Sequence, residues 1–255
     1  MPVESVETSE DAVLGGRLVL RQPMRGHRVG HDAILLAAAA SAQPGQHAID
    51  LGAGVGAAGL ALARRIGGLT VTLIEIDPTL TALAHDNAAR NGLARWVNAV
   101  CLDVTAPVRA FTAAGLVPGS ADQVLMNPPF NVEQKPSPDD GRRLAYAASA
   151  ATLRNWVKTA ARLLRAGGAT TVIWRAEGLA DVLAALDAGF GAIAILPVHP
   201  KPGRRAIRLL ARGVKGSRTA LSLLPALLLA DADGHPTPQA EAVLRHGAAL
   251  PLNEI

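Results

Sequence analysis

Asp50-Leu51-Gly52-Ala53-Gly54-Val55-Gly56 closes a short apolar run (46–51) and leads into an alanine- and leucine-rich one (56–66). The first run has the length of a strand and the second that of a helix. The stretch therefore reads as strand, glycine loop, helix. In open α/β sheets ligands bind outside the carboxyl ends of the strands, so Gly52, Ala53 and Gly54 are candidate cofactor contacts. Glycine lets the backbone approach a ligand closely and adopt positive φ. The run also fits G-x-G-x-x-A, so the loop alone does not separate a dinucleotide from another adenosine-containing cofactor.

The pattern continues on both sides. Val71–Glu75, Val97–Leu102 and Asp122–Met126 read as strands, and Pro78 opens a helix that Asn91-Gly92 closes. Thr152–Leu164 reads as a helix, Gly167-Gly168 as a turn, and 170–174 as a strand. Leu179–Leu186 is helical, and 191–198 and 206–212 are strands around Pro202-Gly203. That connection is too short for a crossover helix, so the last pair is antiparallel. Thr237-Pro238 caps a final helix. Upstream, 1–11 reads as a loose tail, 17–20 as a short strand, Pro23–Gly30 as a basic loop, and Asp32–Ser41 as a helix. Strands alternating with helices imply a mostly parallel sheet covered on both faces. The organisation is an N-terminal extension, 1–44, and one domain, 45–255.

Three acids follow strand ends. Asp50, just before the glycine loop, can hold loop amides and lie near a cationic amino group. A pyrophosphate is poorly served by a carboxylate there, which favours S-adenosylmethionine over a dinucleotide. Glu75 ends the next strand, where an acid accepts ribose hydroxyls. Asp77 competes with it but also suits the cap of the Pro78 helix. Asp103 follows the third strand, in reach of an adenine amine or simply in water.

Asn127-Pro128-Pro129-Phe130 follows the fourth strand. An exocyclic amine on a heteroaromatic ring is a poor nucleophile because its lone pair is delocalised. Acceptors aimed at its hydrogens, the Asn127 side-chain oxygen and the Pro128 carbonyl, favour the pyramidal form. Consecutive prolines stiffen the loop, and Phe130 offers a face for a flipped base. The alternative is a proline turn with Phe130 in the core. With the cofactor loop upstream, the motif points to methylation of a nitrogen. Asn127, Pro128 and Phe130 are then the catalytic candidates, and Asn127 is close enough to the cofactor to touch it too.

Composition limits the rest. The 255 residues are 49% hydrophobic and 18% charged, which supports a sizeable core and excludes a disordered chain. Net charge is +4. Between Lys201 and Arg218 lie Arg204, Arg205, Arg208, Arg212 and Lys215 and no acid, and Arg17, Arg21, Arg25 and Arg28 form a second acid-free stretch. Both are candidate phosphate contacts. The single cysteine, Cys101, excludes an intrachain disulfide and a cysteine metal cluster, and its apolar neighbours predict burial. His27, His31, His199 and His235 lack ligand spacing, so no metal is expected. No apolar stretch is long enough for a membrane span and the start is acidic and polar, so a cytoplasmic protein is expected.

These residues resemble the class I S-adenosylmethionine-dependent methyltransferases that carry Asn-Pro-Pro-Tyr/Phe. More narrowly, the chain is similar to the bacterial tRNA(Val) adenine-N6 methyltransferases that modify the base beside the anticodon. The resemblance rests on Leu14–Arg17, Arg28–Ala38, Asp50–Gly56, Glu75–Asp77, Asn87 with Asn91-Gly92, Met126–Phe130, Lys215–Arg218 and Thr237-Pro238. Phe130 stands where many relatives have tyrosine, and Asn131–Arg143 matches only loosely. The resemblance implies a Rossmann-like α/β fold with a seven-stranded, mostly parallel sheet, one strand antiparallel, and helices on both faces. It implies cofactor binding at Asp50–Gly56 and Glu75, target binding at Asn127–Phe130, and Arg28–Asp32 closing over the methionine end of the cofactor or lining the target pocket. It also implies tRNA as partner, met by 17–28 and 201–218. Protein glutamine, ribosomal RNA and DNA are alternative targets, and a non-catalytic or NAD-linked protein of the same fold is a remote one.

Overall fold

The computed structural model describes residues 7–25, 28–129 and 140–252, the last by backbone alone over 140–148. In chain order the elements are β1 (Thr8–Val13), β2 (Leu18–Pro23), α1 (His31–Ala39), β3 (His47–Leu51), α2 (Ala57–Arg65), β4 (Thr70–Glu75) and α3 (Pro78–Arg90). They continue with β5 (Val97–Cys101), α4 (Val108–Ala113), β6 (Ala121–Met126), α5 (Asp140–Leu163), β7 (Leu164–Arg175) and α6 (Leu179–Leu186). The chain ends with β8 (Phe190–His199), β9 (Arg208–Lys215), β10 (Ser222–Leu223), β11 (Leu227–Leu228) and α7 (Pro238–His246).

The main sheet runs β10-β8-β9-β7-β6-β3-β4-β5, with β11 also paired to β8. β9 alone is antiparallel to its neighbours β7 and β8. This is the expected seven-stranded sheet, extended at one edge by the two-residue strands β10 and β11. Strand alternation sends side chains to both faces. Ala48, Leu73 and Leu125 join a core layer with α1, α2 and Val243 of α7, while Ile49, Leu51, Ile74, Val124 and Met126 join Phe111, Leu153, Val157 and Val182 on the opposite face. Leu14, Leu18, Leu20 and Ile34 belong to the first layer, so the stretch before residue 45 shares the core of the rest.

Register places the site. Leu51 of β3 pairs with Ile74 of β4 and with Met126 of β6. Gly52, Glu75 and Asn127 therefore leave three adjacent strands at one edge of the sheet.

Asn87 ties the N-terminal hairpin to that edge. It is fully buried on α3. Its amide nitrogen donates to the carbonyls of Arg21 (2.9 Å) and Val55 (3.0 Å), and its oxygen accepts from the Arg21 amide at 2.7 Å. One turn on, Asn91 repeats the pattern against the Val19 amide and carbonyl at 3.0 and 2.8 Å. Two amides four residues apart share a helix face and so dock one strand.

Several expectations are corrected. Residues 8–11 are not tail but part of β1, antiparallel to β2; one face of this hairpin is polar, so the sequence carries little hydrophobic alternation there. α4 has six residues, too few for a helical period to show. α5 begins at Asp140 rather than Thr152; the alanine-rich stretch before Thr152 has helix propensity but no apolar stripe. Gly167-Gly168 does not end an element but is absorbed within β7, where the register against β6 shifts. Cys101 is exposed rather than buried. It ends the edge strand β5, and its thiol lies 3.5 Å from the Ile76 carbonyl.

Replacing Asn87 with alanine strands three backbone groups of Arg21 and Val55 without a partner. Each buried loss costs about 1–3 kcal/mol. We expect Asn87→Ala to lose about 3 kcal/mol or more in urea denaturation, and Asn91→Ala, at a more exposed position, clearly less. Equal small losses would remove Asn87 from this role.

Candidate active site

A cavity of ≈ 440 Å³ opens at the carboxyl edge of the sheet. Its floor is Asp50 with the loop Gly52–Val55 and Ala57 and Ala58 of α2; its walls are Arg28–Ala33, Leu80, Asn127 and Arg208. The volume lies in the range of small-molecule and cofactor sites.

The glycine loop is held from below. Glu75 Oε2 accepts the Gly54 amide at 2.8 Å and Oε1 accepts the Asp77 amide at 2.9 Å. Asp77 caps α3, accepting from Thr79 and Leu80 amides at 2.7 and 3.2 Å. Gly52 sits at φ +67°, and a Cβ there would meet the Trp156 ring of α5 at 2.2 Å. Gly52 is therefore required by the packing of α5 against the loop as well as by the loop's turn. At Gly54 (φ +57°) a Cβ would meet nothing within 4 Å, so the space beside its Cα is open while its amide is held by Glu75.

Asp50 is buried at the end of β3, and its Oδ2 accepts the Gly59 amide of α2 at 2.8 Å. Desolvation pushes its carboxyl up to about 7; the Gly59 amide opposes that shift and the nearby Glu75 charge adds to it. A buried carboxylate in this condition is stabilised by a cation delivered to the cavity. Across the cavity, Asn127 Oδ1 is buried and has no hydrogen-bond partner among the described residues. Arg208 Nε donates to Asp32 Oδ2 at 2.8 Å, clamping the start of α1 to the start of β9.

Asp50, Gly52, Ala53, Gly54 and Asn127 thus come together around one cavity, as do Arg28–Asp32. Glu75 lies just behind the loop and Asp103 farther away. Asp103 is exposed, and its Oδ1 accepts from the Thr105 amide and hydroxyl at 2.7 and 2.8 Å. Phe130 lies outside the described residues, as does His27. Pro128 is buried beside Asn127. Sequence reasoning missed Leu80, Trp156 and the wall position of Arg208. Leu80 follows the Asp77 cap by three residues and was discoverable; Trp156 and Arg208 reach the site only through tertiary packing.

The basic stretches divide. Arg17 donates to the His246 carbonyl, Arg21 to Thr8 with Asp86 beside it, and Arg28 to both oxygens of Asp11. Arg212 donates to Ser41 and Lys215 to the Leu164 carbonyl. These cations hold the fold together.

The family model of the methyltransferase small domain matches residues 27–200. A Bacteroides thetaiotaomicron protein named tRNA1(Val) (adenine(37)-N6)-methyltransferase is 30% identical over 186 residues, covering 72% of this chain and 75% of the relative. Ribosomal RNA small subunit methyltransferase C of Ectopseudomonas mendocina is 33% identical over 125 residues, 49% of this chain and 31% of the relative. Among solved structures, a predicted O-methyltransferase of Agrobacterium tumefaciens superposes with a TM-score of 0.73 at 29% identity, covering 86% of this chain and 98% of that one. No helix among the described residues is long and apolar enough to cross a membrane.

Asp50 gives a pH signature. Its folded pKa is raised from 3.8 to about 7, so the folded state holds the proton more tightly than the unfolded state. Stability of the ligand-free protein from this group is full below pH 4, falls by about 1.4 kcal/mol per pH unit as pH rises toward 7, then levels off. Asp50→Asn should flatten that slope in denaturation measured from pH 4.5 to 8. An unchanged slope in the variant would assign it to another group.

Proposed function

Because the chain belongs to the methyltransferase small domain family, which uses S-adenosylmethionine, we propose that it methylates N6 of an adenine in tRNA, beside the anticodon. The observation that carries this is the buried, unpartnered Oδ1 of Asn127, a residue that lines the cavity whose floor is Asp50 and Gly52–Gly54. Those residues fit the cofactor. Asp50 suits its ammonium group, the open space beside the Gly54 Cα suits close backbone approach, and Glu75 keeps one lone pair on each oxygen for ribose hydroxyls after holding the loop. Asp103 Oδ2, which makes no bond among the described residues, is the proposed contact to the cofactor's adenine. S-adenosylmethionine supplies an electrophilic methyl group.

The protein's part is to make the target amine nucleophilic. Asn127 Oδ1 and the Pro128 carbonyl accept its two hydrogens, which draws the nitrogen toward the pyramidal form with its lone pair facing the methyl donor. Phe130, adjacent in sequence, supplies the stacking face for a base taken out of its stack. No ionisable base is needed before transfer; the proton leaves to water once the nitrogen carries the methyl.

The relatives named for tRNA and for ribosomal RNA leave nucleic acid as the shared target class, and the longer alignment is with the tRNA enzyme. Labelled methyl transfer to total tRNA from a strain lacking this gene, followed by nucleoside mass spectrometry, tests the assignment. N6-methyladenosine is expected; label in ribosomal RNA or protein instead would overturn the substrate. Asn127→Ala should lower kcat by roughly 10²–10³-fold, as removal of a transition-state hydrogen-bonding group does, with cofactor affinity changed only a few-fold. Turnover near the wild-type value would end its catalytic role.

A further inference from the structure

Charge is divided along the carboxyl edge of the sheet. At this edge β3 carries Asp50, β4 ends at Glu75 with Asp77 two residues on, and Asp103 follows β5 by two residues. Beyond Asn127, β7 ends at Arg175 and β9 begins at Arg208, which face each other in the antiparallel register. The turn between β8 and β9 lies past this same edge and carries Lys201, Arg204 and Arg205.

This turn is built rather than loose. His199 Nδ1 lies 2.7 Å from the Arg204 carbonyl, the Arg204 amide donates to the Lys201 carbonyl at 3.2 Å, and the Ile207 amide donates to Val198 at 2.9 Å. Outside it, the Leu229 and Ala230 amides donate to the carbonyls of His199 and Pro200 at 2.9 and 3.0 Å. Arg204 and Arg205 are exposed and Lys201 half-buried, and none of the three has an ion pair among the described residues. The other cations of the two basic stretches differ. Arg17, Arg21, Arg28, Arg208, Arg212 and Lys215 have protein partners. Lys215 and Arg218 lie at the far end of β9, about 20 Å from Arg208 at the strand rise, and so away from the cavity. In the first stretch Arg25, exposed like the other three, has no ion pair among the described residues.

We infer that the β8–β9 turn, through Lys201, Arg204 and Arg205, is the RNA-phosphate contact surface that feeds the cavity. Arg205 is three residues from Arg208 on the cavity wall, within about 10 Å of chain. A polyanion is repelled by the acids at the ends of β3–β5 and attracted by the three cations of the turn, which have no ion pair among the described residues and outnumber Asp231 and Asp233 beyond Ala230, so it enters on the turn's side and meets Asn127 at the boundary. The acidic half then keeps the cationic cofactor. This inference rests on the RNA reading above and adds the face by which RNA is held.

The test compares wild type with K201A/R204A/R205A and with the charge-retaining R204K/R205K, titrating bulk tRNA from the deletion strain over a range of KCl. Loss of three phosphate contacts should lower affinity at least tenfold at low salt and reduce the slope of log K against log[salt] by about 2. Cofactor affinity and melting temperature should match wild type, and the lysine variant should retain the wild-type slope. If wild type binds tRNA and the triple-alanine variant binds with the same affinity and slope, this surface is wrong and the RNA reading stands. If wild type shows no salt-dependent tRNA binding at all, both readings fall.

Discussion

Asp50 Oδ2 lies 2.8 Å from the Gly59 amide, and that contact sets the spacing between the central strand and the helix that follows it. A Cβ at Gly59 would meet Asp50 Oδ2 at 3.2 Å and Leu73 Cδ2 at 2.3 Å, so the helix can come this close only as glycine. The loop between strand and helix is compressed as a result. Its Ala53 amide donates to the Ile74 carbonyl, its Gly54 amide to Glu75 and its Gly56 amide back to the Ala53 carbonyl. The protein accepts a buried carboxyl with a raised pKa to obtain this geometry. A carboxyl held there by helix and loop is preorganised for a cation, because it need not reorganise when one arrives.

The cavity is a junction between two electrostatic environments. Neighbouring parallel strands bring three acid-bearing ends to one side of Asn127, and the antiparallel strand β9 brings arginine to the other. The inversion of β9 matters here. In a parallel arrangement the acid-free run after Lys201 would meet the cavity at its other end. As folded, Arg208 lines the site and Lys215, at the other end of β9, lies toward the opposite edge. The Asp32–Arg208 pair joins two parts of the wall, so residues 28–33 line the cavity together with β9.

Much of this was legible in the residues. The strand–loop–helix reading of 46–66, the capped helix at Pro78, the strand before Asn127 and the antiparallel last pair all stand, because each rests on local chemistry: glycine at positive φ, proline at a first helical turn, a connection too short to cross over. Elsewhere the local signal is absent or ambiguous. α4 is too short to show a period, the start of α5 is too uniform in alanine, and Gly167-Gly168 has the composition of a turn but is absorbed within β7. Cys101 shows the same limit, since an apolar neighbourhood in sequence does not reveal that β5 is the edge strand.

The order of motifs along the chain determined the fold class and the cofactor type, since short-range backbone and charge requirements are written residue by residue. Tertiary structure alone decided which cations are available and which are committed. Arg28 and Arg205 look alike in a basic stretch and both are exposed; one is bound to Asp11 and the other has no ion pair among the described residues. It also decided that Trp156 requires Gly52 and that Arg208 walls the cavity. Such pairings join residues tens to hundreds of positions apart, and their energy depends on distance and burial, neither of which a linear pattern contains.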